Sequence, residues 1–348
     1  MGWFVKDFKW SFIFTLVAVF LAYQWAGWVG AFTALILIAL EISISFDNAV
    51  VNAKILKGMD KVWQDRFLTW GMLIAVFGMR VIFPILIVAI SASLSFTQVI
   101  DMALNDQKLY EQHVMASSYV ISAFGGIFLL MVFLEFLFDH ERELLWISFI
   151  EKQFSKLGKI ESLSIAIGLF VLTLVTYQIP EKEQLSVMIS GVSAMILFII
   201  LGSLSSYMQK LKEDIDLGKT AKKGIVSAGF ITFMYLEVLD ASFSLDGVIG
   251  AFAVTKDIVI IMLGLGVGAL FVRSMTISLV RRGALNNYVY LEHGAHYAIG
   301  ALAIVMFLHM FMHVTGVITG TIGIAFILAG IYSSIRHNQK KRLENVVN

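Results

Sequence analysis

An acidic motif occurs twice in the sequence, each time inside a long apolar stretch. Residues 41–48 read EISISFDN and residues 240–247 read DASFSLDG, so an acid, two serines and a second acid recur in the same order. Carboxylate, hydroxyl, amide and carbonyl oxygens are the ligands that hard divalent cations such as Mn²⁺, Mg²⁺ and Ca²⁺ prefer. We therefore predict a cation site with ligands from both copies: Glu41, Ser45, Asp47, Asn48, Asp240, Ser244 and Asp246.

Other charged side chains fall in or beside the apolar stretches around this motif. An ionised side chain at the centre of a bilayer costs about 2.5 kcal/mol or more, so such residues are rare without a partner or a function. The sequence offers three further acids and two arginines in supporting positions: Glu135, Glu237, Glu292, Arg80 and Arg273. Two interpretations stay open for each buried acid, namely cation binding or pairing with an arginine for packing alone.

The spacing within the motif predicts an irregular backbone. The two acids of each copy are six residues apart, which places them about 240° apart on a regular helix. Glu41 is instead in line with Ser45 and Asn48. Membrane helices rich in serine, asparagine or glycine unwind most readily beside a polar cavity. We therefore expect interruptions at 45–48 and at 244–247, where backbone carbonyls would add ligands.

Membrane-spanning helices must position these residues. Of the 348 residues 59% are apolar and 15% charged, whereas soluble domains carry about 25% charged residues. Ten apolar stretches are long enough to cross a bilayer. They lie at 11–28, 29–53, 67–90, 114–138, 161–179, 185–208, 225–254, 257–280, 289–312 and 314–335. The predicted fold class is an all-α polytopic membrane protein, multi-pass in the cytoplasmic membrane and surrounded by the lipid bilayer.

The distribution of basic residues predicts the orientation of these spans. With ten spans and a cytoplasmic N-terminus, 21 of the 26 Lys and Arg residues lie on the cytoplasmic side. Only Lys108, Lys182 and Lys256 lie on the outer side. This bias is typical of membrane proteins, so we expect both termini in the cytoplasm. Segment 139–160 is too short and too charged to cross, and we expect an amphipathic helix on the inner face.

Three spans are predicted to repeat in order. A glycine and an arginine nine residues apart follow the acidic motif in both copies, at Gly71 and Arg80 and at Gly264 and Arg273. The copies start five spans apart and therefore run oppositely through the membrane, as in the inverted repeats of many secondary transporters. The single membrane domain 1–348 then divides into repeat one (29–138, spans 2–4), the cytoplasmic amphipathic segment (139–160), connecting helices with a basic loop (161–224), inverted repeat two (225–312, spans 7–9), and a last helix with a basic tail (313–348).

Composition disfavours several other classes of protein. The absence of cysteine excludes disulfides, thiolate metal sites and thiol nucleophiles. A formal net charge of +1 argues against a large basic surface for nucleic acid. No set of nucleophile, base and orienting group suggests an enzyme. We expect no permanently bound cofactor, since the divalent cation would be a substrate; a homo-oligomer stays open.

The sequence resembles the TerC-like family of integral membrane proteins within the LysE-type transporter superfamily, and more narrowly its DUF475 branch. The resemblance rests on EISISFDNAV at 41–50, on the stretch 70–80 and on SLDG at 244–247, and it covers about 30–315. In TerC-like proteins the first acidic helix ends in an Asp-Asn pair, which Asp47 and Asn48 match here. The second ends in an Asp before a small residue, which Asp246 and Gly247 match.

This resemblance implies Mn²⁺ efflux or metal homeostasis and an association with tellurium resistance. Segment 139–160 and the additional acids Glu237 and Asp240 depart from the family pattern. We therefore expect a secondary transporter that exports a hard divalent cation, above all Mn²⁺, in exchange for protons by alternating access. The alternatives are an exporter of cationic amino acids and a non-transporting scaffold that docks stress-resistance proteins through its basic loops.

Overall fold

The computed structural model describes most of the chain. Its backbone covers residues 2–347 apart from 72, 75, 77, 79–81, 83, 84, 87, 90–93, 141, 143, 159, 161, 217–224, 253, 256, 284–287, 313 and 315. Side chains are also outside the description at 2–6, 47, 68, 107, 111, 204–206, 208–216, 225–228, 241–246, 248–250, 252, 316, 317, 319 and 342–347. Arg80 and the side chains of Asp47, Ser244 and Asp246 therefore fall outside the described part.

The described chain is built from helices and contains no strand. The α-helices in chain order are α1 (Gly2–Ile44), α2 (Phe46–Lys57), α3 (Lys61–Arg66), α4 (Phe96–Asn105), α5 (Gln107–Ala116), α6 (Ser118–Phe138), α7 (Ser148–Leu157), α8 (Leu163–Gln178), α9 (Glu181–Asp216), α10 (Ile225–Phe252), α11 (Ile258–Arg281), α12 (Leu291–Leu308) and α13 (Gly316–Val347). A π-helix, Phe67–Gly71, follows α3. The all-α prediction is confirmed.

Five helices of the described chain are long and apolar enough to cross a membrane. They are Asp7–Ile44 within α1, Glu181–Ser203 within α9, and the whole of α6, α11 and α12. Large apolar side chains point outward along α1, including Trp28 at 79% exposed and Val29 at 77%. Lipid accommodates such a surface, whereas water does not. The chain is therefore a helical membrane protein, while ten spans with cytoplasmic termini stay a prediction.

Helix α1 joins the first two predicted spans through a kink. Ala26 and Gly27 have non-helical backbone angles, and the φ of Gly27 is +63°. Glycine adopts this left-handed conformation without the steric cost that a Cβ atom imposes. The kink therefore falls next to the predicted boundary between spans 11–28 and 29–53.

The core is formed between the two predicted repeats. Helix α1 packs along α11, and α6 packs against α12. The largest cluster of buried apolar side chains joins α6, α9 and α12, with Phe128, Met195, Ile299 and Met306 among its members. Because both predicted repeats contribute to the same cluster, they form one packed body.

Segment 139–160 is anchored to the bundle by a buried carboxylate. Glu151 in α7 is 1% exposed. Its Oε2 accepts a hydrogen bond from the backbone N–H of Trp146 at 2.9 Å, and its Oε1 accepts one from the hydroxyl of Tyr297 in α12 at 3.2 Å. The indole N–H of Trp146 donates to Ser333 Oγ in α13 at 2.9 Å. The sequence predicted an amphipathic helix here but not this connection to α12 and α13.

Candidate functional site

A one-residue break between α1 and α2 positions the first acid of the motif. Ser45 lies outside both helices, with φ −98° and ψ 17°. Its N–H still donates to the Glu41 carbonyl at 2.9 Å, and its Oγ donates to Glu41 Oε1, also at 2.9 Å. Both residues are buried, Glu41 completely. The sequence placed Ser45 in line with Glu41, and their side chains are hydrogen-bonded. The interruption predicted at 45–48 occurs at Ser45 alone.

The second copy of the motif does not unwind. Helix α10 runs without a break through 244–247, so the interruption predicted there is wrong. Serine and glycine do not force a membrane helix open, because the helix satisfies its own backbone hydrogen bonds in a medium without water. Carbonyl ligands from an unwound turn are therefore not provided by the second copy.

The Glu41 side chain fits against two glycines of the second copy. A Cβ atom placed on Gly247 in α10 would lie 2.7 Å from Glu41 Oε2. A Cβ atom placed on Gly268 in α11 would lie 2.4 Å from Glu41 Cβ. A Cβ atom at either position would force the Glu41 side chain or a helix to shift. The first acid of one motif thus meets the last residue of the other.

Two buried asparagines continue this polar face along α2. Asn48 is 2% exposed and Asn52 is fully buried. Within the described part of the chain, Asn48 Oδ1, Asn52 Oδ1 and Asn52 Nδ2 have no hydrogen-bond partner. Buried amides are normally hydrogen-bonded, so these atoms are suited to a ligand or to water. We call Glu41, Ser45, Asn48 and Asn52 the polar stripe.

Sequence reasoning missed Asn52. The four residues of the polar stripe follow at i, i+4, i+7 and i+11, which places them within about 60° of one another on a regular helix. Extending the predicted alignment of Glu41, Ser45 and Asn48 by one turn would have identified it. Asn52 was missed because it lies four residues beyond the end of the repeated motif.

The other acids of the second copy surround Arg273 of α11. Its Nη2 donates to Glu237 Oε1 at 3.2 Å, to Asp240 Oδ2 at 3.4 Å and to the Gly71 carbonyl at 3.0 Å. The guanidinium lies 3.8 Å from the centre of the Phe67 ring. Arg273 and Glu237 are each 3% exposed, and Asp240 is 7% exposed. We call Arg273, Glu237 and Asp240 the arginine cluster.

Two of the remaining supporting residues lie near Lys54. The Lys54 ammonium forms a salt bridge with Glu292, which joins α2 to α12; both side chains are partly exposed. Glu135 of α6 is exposed and lies within electrostatic range of Lys54. Both acids therefore lie near the positively charged side chain of Lys54.

A complete metal site is not present among the side chains that the structure describes. No group of three or more His, Cys, Asp or Glu residues in that part of the chain is placed to hold a metal ion. The side chains of Asp47 and Asp246, which the motif predicts as ligands, fall outside it. The description contains a buried carboxylate, a hydroxyl and two amides, which lie along α1, the break at Ser45 and α2.

Comparison with protein families gives one match. A family described as "Protein of unknown function (DUF475)" matches residues 46–341, which is most of the chain. The chain belongs to the DUF475 family. No curated protein and no solved structure matches it. The DUF475 match covers α2, with Asn48 and Asn52, and the whole arginine cluster, but it assigns no activity to them.

Proposed function

We propose that this DUF475 protein is a secondary transporter that exports a hard divalent cation, most of all Mn²⁺, in exchange for protons. The polar stripe carries the proposal. It holds a fully buried carboxylate at the contact between the two copies of the motif, beside amide oxygens that have no partner among the described side chains. Intramembrane acids of this kind generally belong to ion pathways. With Asp47 and Asp246 added, the set would supply oxygen ligands alone, as Mn²⁺ prefers.

Contacts at equivalent positions support an inverted repeat. A Cβ atom on Gly264 would lie 3.2 Å from the Ala34 carbonyl oxygen, and one on Gly71 would lie 3.4 Å from the Phe233 ring. Ala34 and Phe233 are 199 residues apart, the same offset that relates the two acidic motifs. The repeated glycine of each proposed copy therefore lies against the same position of the other. This reciprocity is expected for two copies related by a two-fold axis.

The arrangement of the proposed copies suggests how the site changes sides. The ten predicted spans, with both termini in the cytoplasm, would place the polar stripe near the middle of the bilayer. In alternating access one repeat moves relative to the other around a fixed site. Glu41 lies between the copies, against Gly247 and Gly268, so such a movement would open or close its surroundings. The resemblance to TerC-like proteins favours the same activity.

Manganese flux tests this proposal. Purified protein in liposomes loaded with radioactive manganese should release the ion when an opposing pH gradient is applied. Asp47→Asn or Glu41→Gln should abolish release, because each removes a charge from the proposed site. Asp101→Asn, which neutralises an exposed carboxylate in α4, is the matched control and should transport normally.

The outcomes also separate the alternatives. Full manganese release by folded Asp47→Asn and Glu41→Gln would contradict the proposal. Release of labelled lysine without release of manganese would favour amino-acid export. If neither solute moves, and only charge reversals in the basic loops impair tolerance to metal in cells, a scaffold is favoured.

A further inference from the structure

The arginine cluster carries an excess of negative charge. One guanidinium faces two carboxylates, and all three side chains are less than 10% exposed. Arg273 and Asp240 are the charged groups within the described chain that act electrostatically on Glu237. Phe67 and Phe233 add apolar surface around the cluster. With every group ionised, the cluster therefore has one unbalanced negative charge in an apolar environment.

An unbalanced buried charge needs a neutralising partner. Burial of an uncompensated ion is strongly unfavourable, and a protein avoids this by taking up a proton or another cation. Glu237 Oε2 is the atom available for this purpose, because it is buried and has no hydrogen-bond partner among the residues that the structure describes. Oε1 of the same carboxylate already accepts from Arg273.

The surroundings favour a proton over a metal ion. Hard divalent cations need six or more oxygen ligands, and Glu237 offers one carboxylate oxygen without a partner. The guanidinium, only 3.2 Å from Oε1, would repel a metal ion at this position. A proton needs one oxygen and occupies almost no volume.

Glu237 is also absent from the first copy. The offset of 199 residues aligns it with Ile38, a buried apolar residue of α1. An acid that is found in one copy alone is not required by the two-fold pattern of the proposed cation site. Glu237 is therefore expected to have a separate function in repeat two.

We propose that Glu237 of the arginine cluster binds the proton that is exchanged for the exported cation. The inference deepens the proposed function and rests on it only in calling the proton the exchanged ion. Proton binding to Glu237 does not itself depend on transport. In the step, a hydronium ion transfers its proton to Glu237 Oε2 and leaves water. The cluster is then neutral, with Asp240 as the remaining anion beside Arg273.

Infrared difference spectroscopy of the full chain in lipid tests proton binding directly. On mild acidification without metal, the wild type should gain the carbonyl band of a protonated carboxylic acid. Glu237→Gln should lose this band, and Glu237→Asp, which keeps a carboxyl group, should retain it. Asp240→Asn should also lose it, because the remaining Glu237 and Arg273 are already balanced. Asp101→Asn should match the wild type.

Several results would overturn the inference. A band that persists in Glu237→Gln assigns the proton to another residue, and the absence of a band in the wild type removes the site. A carboxylate signal that responds to sodium at fixed pH, but not to acid, would indicate a monovalent cation instead.

Flux measurements separate this inference from the proposed function. If both are correct, manganese release by Glu237→Gln should no longer depend on the pH gradient. If the wild type releases no manganese but shows the band, the exchange assignment fails and a proton site remains. If manganese moves and the band is missing, transport stands and Glu237 is not the carrier.

Discussion

The two copies of the acidic motif surround their first buried acid differently. In the first copy, Glu41 receives a hydrogen bond from Ser45, and the neighbouring amides of Asn48 and Asn52 keep atoms without partners among the described residues. In the second copy, Arg273 donates to both Asp240 and Glu237. Arg80, the position that matches Arg273, lies outside the described residues. Among the described side chains, the acids at matching positions therefore have different partners, and the second copy keeps one negative charge that Arg273 does not balance.

The residues around Asp240 in the second copy lie outside the motif. Arg273 follows the second motif on α11 and reaches back to α10, where Glu237 precedes Asp240 by about one turn. The equivalent of Glu237 in the first copy is apolar Ile38. Glu237 and Asp240 thus share Arg273 as their partner.

Removal of the shared cation should have the largest effect on stability. Arg273→Met leaves two buried carboxylates without their partner, and the loss of one member of a buried ion pair costs about 3–5 kcal/mol. We expect a marked fall in the thermal unfolding midpoint, measured in detergent at a fixed scan rate. Arg281→Met is the control, since Arg281 is 61% exposed. Equal midpoints for the two variants would mean that the arginine cluster is not essential to stability.

A methyl group beside Glu41 should have an intermediate effect. Gly268→Ala would place Cβ 2.4 Å from Glu41 Cβ, so a helix or the side chain must shift. Overpacking of this kind typically costs about 1–3 kcal/mol. The unfolding midpoint should fall, and manganese flux should fall with it. Gly202→Ala in α9 has no neighbour within 4 Å and should be at least as stable as the wild type.

Unchanged flux in Gly268→Ala would weaken the comparison between the copies. It would indicate that the close approach of Glu41 to α11 serves packing alone. A fall in flux without a fall in the unfolding midpoint would instead support the comparison. The position of Glu41 would then matter for transport more than for folding.

Asn52→Leu should have the smallest effect on the free energy of unfolding, and whether that free energy rises or falls is informative. Replacement of Asn52 by leucine removes buried polar atoms that have no partner among the described residues, so the metal-free protein should be stabilised by about 1 kcal/mol. The stabilisation that added manganese gives to the wild type should be lost. Both quantities can be read from thermal unfolding with and without Mn²⁺.

Asn105→Leu is the matched control for this substitution. Asn105 ends α4 at an exposed position and bonds Asp101, so its loss should leave the response to Mn²⁺ intact. Destabilisation of the metal-free protein by Asn52→Leu would show that the protein itself satisfies the Asn52 amide, contrary to the contrast drawn between the copies.

Local features of this site could be predicted from the sequence. The proximity of Ser45 to Glu41 follows from a spacing of four residues on a helix. This alignment could be predicted because helix geometry alone determines which residues along a helix are neighbours.

Long-range features could not be predicted in the same way. The partners of Arg273 lie on α10 and the π-helix, and helix geometry does not say which helices meet. The interruption at 244–247 was wrong because motif composition shows where a helix is able to open, whereas packing decides whether it does. The burial of Glu151 was missed because a charged segment gives no sign of a partner 146 residues away.

The anchoring of segment 139–160 makes Trp146 a natural optical reporter. Its backbone contacts Glu151, which Tyr297 of α12 also contacts, and its indole N–H bonds Ser333 of α13. Any rearrangement of α12 relative to α13 would change the polarity around this indole. Its fluorescence spectrum should therefore follow the motion of repeat two without an attached dye, once the other six tryptophans are replaced by phenylalanine.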